Sequence, residues 1–387
     1  MKVPLAVPNL SGREAEYLQE CIRTTFVSSA GPFVSAFEAA IAVAAGTDDA
    51  IVMSSGTVAL QMSLEALGVG RGDLVIAPTL TFIASTNAIR HTGAEAWLMD
   101  VSPSTWTLDP EALAETLRVE TVAHSGGRLH TATGLVVKAV MPVMIMGASQ
   151  DLEALVGVAA EFGLRVVVDA AAAIGATSTS GDELGQTGVD AVCYSFNGNK
   201  TITSGGGGAV ASADSQYVER LRHLITTGRV GRDYDHDIVA YNHRMTNVEA
   251  AIGLAQIEQL DQFLHRKREV ADAYRSLSDR YPILSPFPTP ATGTSAFWFS
   301  GVCHRGDDAA TVDDFRGFMR DRDIDVRAFW KPVHLQEPYR DSPRSLTGVA
   351  DALWQRIVPL PCSTGITDAE LEFVLESADQ FWTRVGT

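Results

Sequence analysis

The chain has 387 residues, of which 46% are hydrophobic and 20% are charged, and its formal net charge is −17. This length and composition predict a globular protein of two domains and exclude a disordered or collagen-like chain. The negative charge argues against nucleic acid or an anionic membrane as the main partner, because both would be repelled. An anionic small substrate would instead need a local cluster of hydrogen-bond donors.

The location of the protein is predicted from its apolar runs and its cysteines. No apolar run reaches the roughly 20 residues that span a bilayer, and the N-terminal stretch turns polar too soon for a signal peptide. The cysteines Cys21, Cys193, Cys303 and Cys362 have neither metal-ligand spacing nor the pattern of a disulfide framework. We therefore expect a cytoplasmic protein with no metal site and no membrane association.

The first part of the chain alternates helices and strands. The helix SGREAEYLQECIR opens with Ser11 and Glu14 at the spacing of a capping box. Apolar strands follow at AIVM, LVIA, EAWLMD, VVKAVMPV, RVVVD and DAVCYSF, and the helices between them include TVALQMSLEALG, TFIASTNAIRH and DLEALVGVAAEFG. This alternation predicts right-handed crossovers and a mostly parallel, doubly wound α/β sheet.

The last part of the chain has a different pattern. A long helix-like run starts at Thr246, which forms a second capping-box pattern with Glu249, and it leads into the proline-rich segment YPILSPFPTPATG. The remainder mixes strands and helices, which is typical of a smaller α+β domain. We place the boundary near residue 260 and predict a large domain over 1–260 and a small domain over 261–387.

Three loops at predicted strand ends carry candidate chemistry, because ligands of such sheets bind beyond the C-terminal ends of the strands. The loop MSSGTVAL sets Ser55, Gly56 and Thr57 at the start of a helix, where backbone N–H groups bind phosphate. A plain helix N-cap is the alternative. Asp169 ends the buried strand RVVVD and must be paired or hydrogen-bonded, and a plain helix cap is the alternative for it as well.

The third loop is SFNGNKTITSGGGG, in which Lys200 lies between a polar turn and the run Gly205–Gly208. Glycines permit backbone conformations and close approaches that a Cβ would block. A phosphate site, a buried acid and a lysine at the ends of one sheet are together the parts of a pyridoxal phosphate site. The lysine would bind the cofactor covalently, and the acid would hold the ring nitrogen protonated.

The chain resembles the DegT/DnrJ/EryC1/StrS family of pyridoxal-phosphate-dependent sugar aminotransferases over nearly its full length. The segments that carry the resemblance are VPNLSGREAEYLQECI, FVSSAGPFVSAFE, APTLTFIASTNAI, SFNGNKTITSGGGG, YNHRMTNVEAAIGLAQ, FWKPVHLQ and LPCS. It is most similar to the branch that acts on nucleotide-linked 4-keto-6-deoxy sugars in bacillosamine, legionaminic acid and perosamine pathways. The resemblance implies a fold-type-I architecture.

The resemblance also assigns roles to residues of the cofactor ring. Lys200 matches the lysine that binds pyridoxal 5'-phosphate and moves a proton, and Asp169 matches the partner of the ring nitrogen. Ala171 and Phe82 match positions that pack on the two faces of the ring. From composition alone, Phe82 would be expected in the core instead.

The remaining matched residues concern the cofactor phosphate and the partner subunit. Ser55, Gly56, Thr57 and Ser195 match phosphate contacts in this family. Asn242, in YNHRMTN, matches an asparagine that reaches the phosphate from the neighbouring subunit. The resemblance therefore implies a homodimer with shared active sites.

Three further residues are expected on the substrate side. His334 matches a histidine near the nucleotide-sugar end, and Ser29 and Asn197 lie in segments expected to line that side. For His334, a surface histidine with no role is the alternative.

The chain departs from the family pattern on the side of the cofactor hydroxyl. Ala172 stands where the family usually has Gln, Glu or His, and Met144 and Met146 replace a common histidine and aromatic residue. These differences bear on substrate preference, whereas the presence of Lys200 argues against the lysine-less dehydratase branch.

The implied reaction moves an amine from an amino acid, most often L-glutamate, to the ketone of a nucleotide-linked hexose. One alternative is an aminocyclitol- or aminobenzoate-type member of the family, which would use a free cyclic ketone. The other alternative is a catalytically idle sensor of the same fold, which would bind the cofactor without reacting.

Overall fold

A computed structural model describes residues 1–125, 127–290, 292–306 and 308–385. The helices are α1 Glu14–Thr24, α2 Pro32–Ala45, α3 Gly56–Ala66, α4 Ala84–His91, α5 Pro110–Glu120, α6 Leu152–Phe162, α7 Ser215–Ile225, α8 Asn247–Ile257, α9 Leu260–Arg280, α10 Ala309–Arg320, α11 Val349–Leu353 and α12 Asp368–Val385. The strands are β1 Asp49–Met53, β2 Asp73–Pro78, β3 Glu95–Met99, β4 Thr121–His124, β5 Gly127–His130, β6 Val136–Val140, β7 Arg165–Asp169, β8 Ala191–Ser195, β9 Gly208–Ser212, β10 Arg229–Val230, β11 Asp235–His236, β12 Leu284–Pro286, β13 Ser300–His304, β14 Arg344–Ser345 and β15 Ile357–Leu360. Within these ranges, no helix has both the length and the apolar composition to cross a membrane.

The large sheet follows the order β1-β9-β8-β7-β6-β2-β3-β14. The pairs from β8 to β14 are parallel, whereas β9 runs antiparallel to both β8 and β1. The strands β4 and β5 form an antiparallel pair beside β6. The prediction of a mostly parallel α/β sheet is confirmed, and β9 and the β4–β5 pair are its exceptions.

Helix starts in the large sheet region are set by short polar side chains. The Ser55 hydroxyl accepts from the Val58 N–H at the start of α3, and the Asp151 carboxylate accepts from the Ala154 N–H at the start of α6. The capping box expected at Thr246 and Glu249 is present at the start of α8. Each cap satisfies backbone donors that have no partner inside the helix.

The other predicted capping box is wrong. Helix α1 begins only at Glu14, and the Ser11 hydroxyl donates to the Gln259 side chain instead of capping α1. The Glu14 carboxylate is buried and accepts from the Gln256 amide. Both side chains that the local pattern assigned to the cap therefore form hydrogen bonds with residues that are distant in sequence, on α8 and just after it.

The long helix-like run is also interrupted. It forms α8 and α9, with Glu258 and Gln259 between them. The N-terminal segment packs over this break. Gly12 lies so close to the Gln259 side-chain amide that a Cβ on Gly12 would clash with it. The break therefore lies against a segment that is far away in sequence.

The core of the C-terminal part is separate from the core around the large sheet. It packs α9, α10 and α12 against the antiparallel sheet β12-β13-β15, and Val3 and Leu5 from the N-terminus join it. Strand β14 extends the large sheet, although it lies late in the chain. The division at residue 260 stays a prediction. The cysteines Cys21, Cys193, Cys303 and Cys362 are buried and free.

Candidate active site

A cavity of about 560 Å³ lies at one edge of the large sheet. Because β9 is antiparallel to both of its neighbours, β1 runs in the same direction as β8, β7, β6 and β2. The C-terminal ends of these strands therefore meet at one edge, where ligands of such sheets bind. The predicted residues that line the cavity are Ser55, Gly56, Thr57, Phe82, Asp169, Ala171, Ser195, Asn197 and Lys200.

The start of helix α3 forms one wall of the cavity. Gly56 and Thr57 begin the helix, and Ser195 faces them from the end of β8. A Cβ on Gly56 would lie 2.7 Å from the Ser195 Cβ, so only glycine allows this approach. The arrangement presents free backbone N–H groups and a serine hydroxyl to an anion.

The glycine run after Lys200 has two structural reasons. Gly205 and Gly207 have φ angles of 85° and 99°, which favour glycine. Gly208 packs on the start of α3, because a Cβ there would lie 2.5 Å from the Gly56 nitrogen. The run therefore brings the strand that follows Lys200 close to the anion-binding wall.

Asp169 is 5% exposed and ends β7 at the floor of the cavity. Its carboxylate accepts from the Ser85 hydroxyl at 2.6 Å and from the Ala171 N–H at 3.1 Å. The hydrogen bonding expected of a buried acid is thus present. Burial nevertheless raises the pKa of Asp169, and these two hydrogen bonds and Lys200 oppose that shift only in part. A cationic partner would stabilise the ionised form.

Lys200 is partly buried in the loop after β8, and its side chain lines the same cavity. Desolvation lowers the pKa of the Lys200 amine to about 8, and the charge of Asp169 opposes the shift. Such an amine is deprotonated far more often at neutral pH than an exposed lysine. A lysine that is readily deprotonated is suited to act as a nucleophile and as a base.

Aromatic side chains also line the cavity. Phe82 is 53% exposed, so the expectation that it belongs to the core is wrong, and its ring lies 5.6 Å from that of Trp330. The Trp298 ring lies 6.0 Å from Trp330 and 3.8 Å from the Lys200 amine. A flat cofactor ring would therefore find aromatic surface in the cavity that Lys200 and Asp169 share.

Three predicted residues lie outside the cavity that this chain lines. Asn242 is exposed, which suits the predicted contribution to a partner subunit but does not test it. Ser29 lies in the loop before α2, and the Asn247 amide fixes this loop by donating to the Phe26 carbonyl. The substrate role of Ser29 stays a prediction.

His334 is buried, so the alternative of a surface histidine is wrong. Its ring nitrogens lie 2.7 Å from the Thr79 hydroxyl and 3.2 Å from the Asp351 carboxylate. Both nitrogens are thus engaged by other parts of the chain, and the structure does not bring His334 into the cavity. Its predicted role toward the substrate has no support from contacts within this chain.

The three departures from the family pattern are together in the structure. Ala172, Met144 and Met146 all line the cavity. The Met144 N–H donates to the Asp169 carbonyl, and Met146 has a left-handed φ of 56°. An apolar surface therefore lies where polar contacts to a cofactor hydroxyl were expected.

Ser85, Arg327 and Trp298 are candidate site residues that sequence reasoning missed. Ser85 donates to the Asp169 carboxylate, and Arg327 lines the cavity and pairs with Asp325. For Ser85, the motif TFIASTN marked the segment but not the residue. Trp298 comes from the C-terminal part of the chain, and the aromatic run FWF before β13 was its only local sign.

The described residues fit pyridoxal phosphate. The α3 start and Ser195 offer donors for a phosphate, and the close Gly56–Ser195 approach leaves a cradle that a Cβ would fill. Asp169 provides a buried carboxylate, whose pKa is raised by burial and whose ionised form a protonated ring nitrogen would stabilise. Lys200 provides a desolvated amine in the same cavity.

Comparisons with known proteins agree on one family. Residues 8–378 match the DegT/DnrJ/EryC1/StrS aminotransferase family. The chain is 34% identical to GDP-perosamine synthase of Escherichia coli O157:H7 over 98% of this chain and 99% of that protein. It is 35% identical to GDP-perosamine synthase of Caulobacter vibrioides over 98% of each. Among solved structures, the aminotransferase TlmJ from Streptoalloteichus hindustanus matches with a TM-score of 0.88 and 27% identity over 100% of both chains.

Proposed function

Because the chain belongs to the DegT/DnrJ/EryC1/StrS aminotransferase family, we propose that it is a pyridoxal-phosphate-dependent aminotransferase whose acceptor is a nucleotide-linked 4-keto-6-deoxy sugar. The observation that carries the proposal is the single cavity shared by Lys200, Asp169 and the start of α3. The relatives named GDP-perosamine synthase support a GDP-linked acceptor, and L-glutamate is the amino donor that we expect.

Separate parts of the cavity would hold the cofactor. The backbone N–H groups at Gly56 and Thr57, with the hydroxyls of Ser55 and Ser195, would bind the phosphate. Phe82 and Ala171 would contact the ring faces. Asn242 of a second subunit would complete the phosphate site in a homodimer.

Bound pyridoxal phosphate supplies a ring that withdraws the electron pair left when a proton leaves the substrate carbon. The Asp169 carboxylate would hold a proton on the ring nitrogen, and the resulting positive charge would stabilise the ionised acid. The Ser85 hydroxyl keeps this carboxylate oriented. The Lys200 amine would bind the cofactor and, once released, move the proton between carbons.

A spectral titration tests the proposed substrates. L-Glutamate should bleach the visible absorption of the cofactor-loaded protein, and a GDP-linked 4-keto-6-deoxyhexose should restore it. UDP- and dTDP-linked analogues and a free cyclic ketone serve as comparisons. Restoration by the free ketone alone would indicate an aminocyclitol-type enzyme. Bound cofactor with no response to any amino donor would indicate an idle sensor.

A mixed-dimer experiment tests the shared site. Asn242→Asp would place a carboxylate against the cofactor phosphate and weaken cofactor binding, while Lys200→Ala removes the amine. In a mixed dimer, one site combines both defects and the other is intact. Random mixing should therefore restore on the order of a quarter of the parent activity, by two-fold symmetry. If tagged mixed dimers show no more activity than the two single variants combined, Asn242 lies outside the site.

A further inference from the structure

Trp298 is held in place from three directions. Its indole N–H donates to the Asn199 carbonyl at 2.6 Å, directly before Lys200. Its own carbonyl accepts from the Lys267 amine at 2.8 Å. Two residues earlier, the Ala296 N–H donates to the Gly147 carbonyl in the loop after β6. The ring is thereby fixed relative to the sheet that carries Lys200.

Lys267 links the Trp298 segment to the segment after β15. It is 2% exposed, and its amine donates to the carbonyls of Trp298 and Cys362 at 2.8 and 2.6 Å. Burying a lysine costs free energy because its charge is desolvated. Phe297, next to Trp298, has a left-handed φ of 47°, which is strained for a bulky residue. Such costs are typical of segments that a site requires in one conformation.

The held ring lies against the Lys200 amine. The amine nitrogen is 3.8 Å from the Trp298 ring centroid, within the range of a cation–π interaction. Trp298 is 2% exposed and stacks on Phe299 with ring centroids 3.9 Å apart, so the tryptophan side chain is almost completely buried. The charged groups that share the cavity with the amine are Asp169 and Arg327.

We infer that Trp298 is a positioning residue for Lys200. The Trp298 ring stabilises the free Lys200 amine in its charged form, and the Trp298 indole N–H fixes the backbone directly before Lys200. This inference rests on the proposed function, in which Lys200 is released from the cofactor in each cycle. The released amine would then stay beside the ring, ready to return to the cofactor, instead of turning toward solvent. Desolvation of the amine acts in the opposite direction, so the two effects together set its proton affinity.

The test measures the Lys200 amine in the full-length, cofactor-free protein. Trace labelling with acetic anhydride over a range of pH, followed by mass spectrometry of the Lys200 peptide, gives the titration midpoint of that amine. Trp298→Leu keeps the surroundings apolar but removes the ring face. Its midpoint should fall by about one pH unit below that of the parent. Trp330→Leu, which removes a different aromatic side chain from the same cavity, is the matched control and should keep the parent midpoint.

A midpoint in Trp298→Leu equal to or above that of the parent would overturn the inference, as would an equal fall in Trp330→Leu. If Trp298→Leu does not fold, biosynthetic incorporation of fluorinated tryptophan weakens the ring face without changing its shape. The midpoint should then fall by a smaller amount, and an unchanged midpoint would overturn the inference. Because this titration needs no cofactor, its failure is distinct from a failure of the parent to bind pyridoxal phosphate.

Trp298→Phe separates the two contributions. It keeps an aromatic ring but loses the hydrogen bond to the Asn199 carbonyl. Backbone amides of residues 197–203 should exchange with deuterium faster than in the parent, while the amine midpoint stays nearer to the parent value than in Trp298→Leu. Equal protection of these amides would show that the indole N–H does not fix the loop.

Discussion

Lys200→Ala should abolish amine transfer, with turnover reduced by at least about a thousandfold, which corresponds to roughly 4 kcal/mol of transition-state stabilisation. The physical reason is that the cavity loses both its nucleophile and its proton carrier, while the residues that bind the phosphate are unchanged. The variant should therefore still bind pyridoxal phosphate without a covalent bond. Steady-state turnover and cofactor binding, measured on the same preparation, check these two expectations.

Two controls make the Lys200 result specific. Lys331→Ala removes an exposed lysine, and borohydride should still fix the cofactor to the Lys200 peptide in that variant. A small primary amine added to Lys200→Ala should restore part of the turnover, because it can carry the proton in place of the side chain. Undiminished turnover in Lys200→Ala would contradict the assignment of Lys200 as the residue that binds the cofactor and carries the proton.

Asp169→Asn should slow the proton-transfer step by several orders of magnitude, because a carboxamide cannot stabilise a protonated ring nitrogen. Each factor of ten corresponds to about 1.4 kcal/mol. Single-turnover absorbance with L-glutamate measures the step directly, and Asp169→Glu is the control that keeps the charge. The Ala171 N–H donates to this carboxylate, and the described residues 170–190 between β7 and β8 contain no α-helix, so a purely structural role in the turn after β7 is the competing explanation. Turnover within about threefold of the parent would support that explanation.

The same variant has a second readout in the cofactor-free protein. Burial raises the folded-state pKa of Asp169 above its ordinary value of 3.8, so the ionised acid destabilises the fold. This cost is absent below pH 3.8, grows as pH rises toward the folded-state pKa, and is complete above it. At neutral pH, Asp169→Asn should therefore unfold at a higher denaturant concentration than the parent when both lack cofactor. Cofactor should stabilise the parent more than the variant, because it supplies the missing positive charge.

The residues at the strand ends were predictable because they depend on local patterns. Asp169 ends a run of apolar β-branched residues, and Lys200 follows the next apolar strand, so parallel pairing brings both to one edge. The close packing at Gly56 and Gly208 agrees with the expectation for the glycine run. The antiparallel direction of β9 was not predictable, since strand direction depends on pairing that a single run of apolar residues does not encode.

The misses involve partners that are distant in sequence. Ser11 and Glu14 have the local pattern of a capping box, but their side chains form hydrogen bonds with Gln259 and Gln256, respectively. Trp298 contacts Lys200 across about a hundred residues of chain, and only the assembled fold brings them together. His334 was expected near the substrate from its motif, yet Thr79 and Asp351 engage its ring in the folded chain.

Isotope transfer tests most directly whether this chain moves an amine to a nucleotide-linked keto sugar. The cofactor-loaded protein is incubated with ¹⁵N-labelled L-glutamate and a GDP-linked 4-keto-6-deoxyhexose, and the sugar nucleotide is analysed by mass spectrometry. We expect an amino sugar nucleotide that carries the label, and none with Lys200→Ala. If the loaded parent releases no labelled amino sugar from GDP-, UDP- or dTDP-linked keto sugars, the proposed function is contradicted.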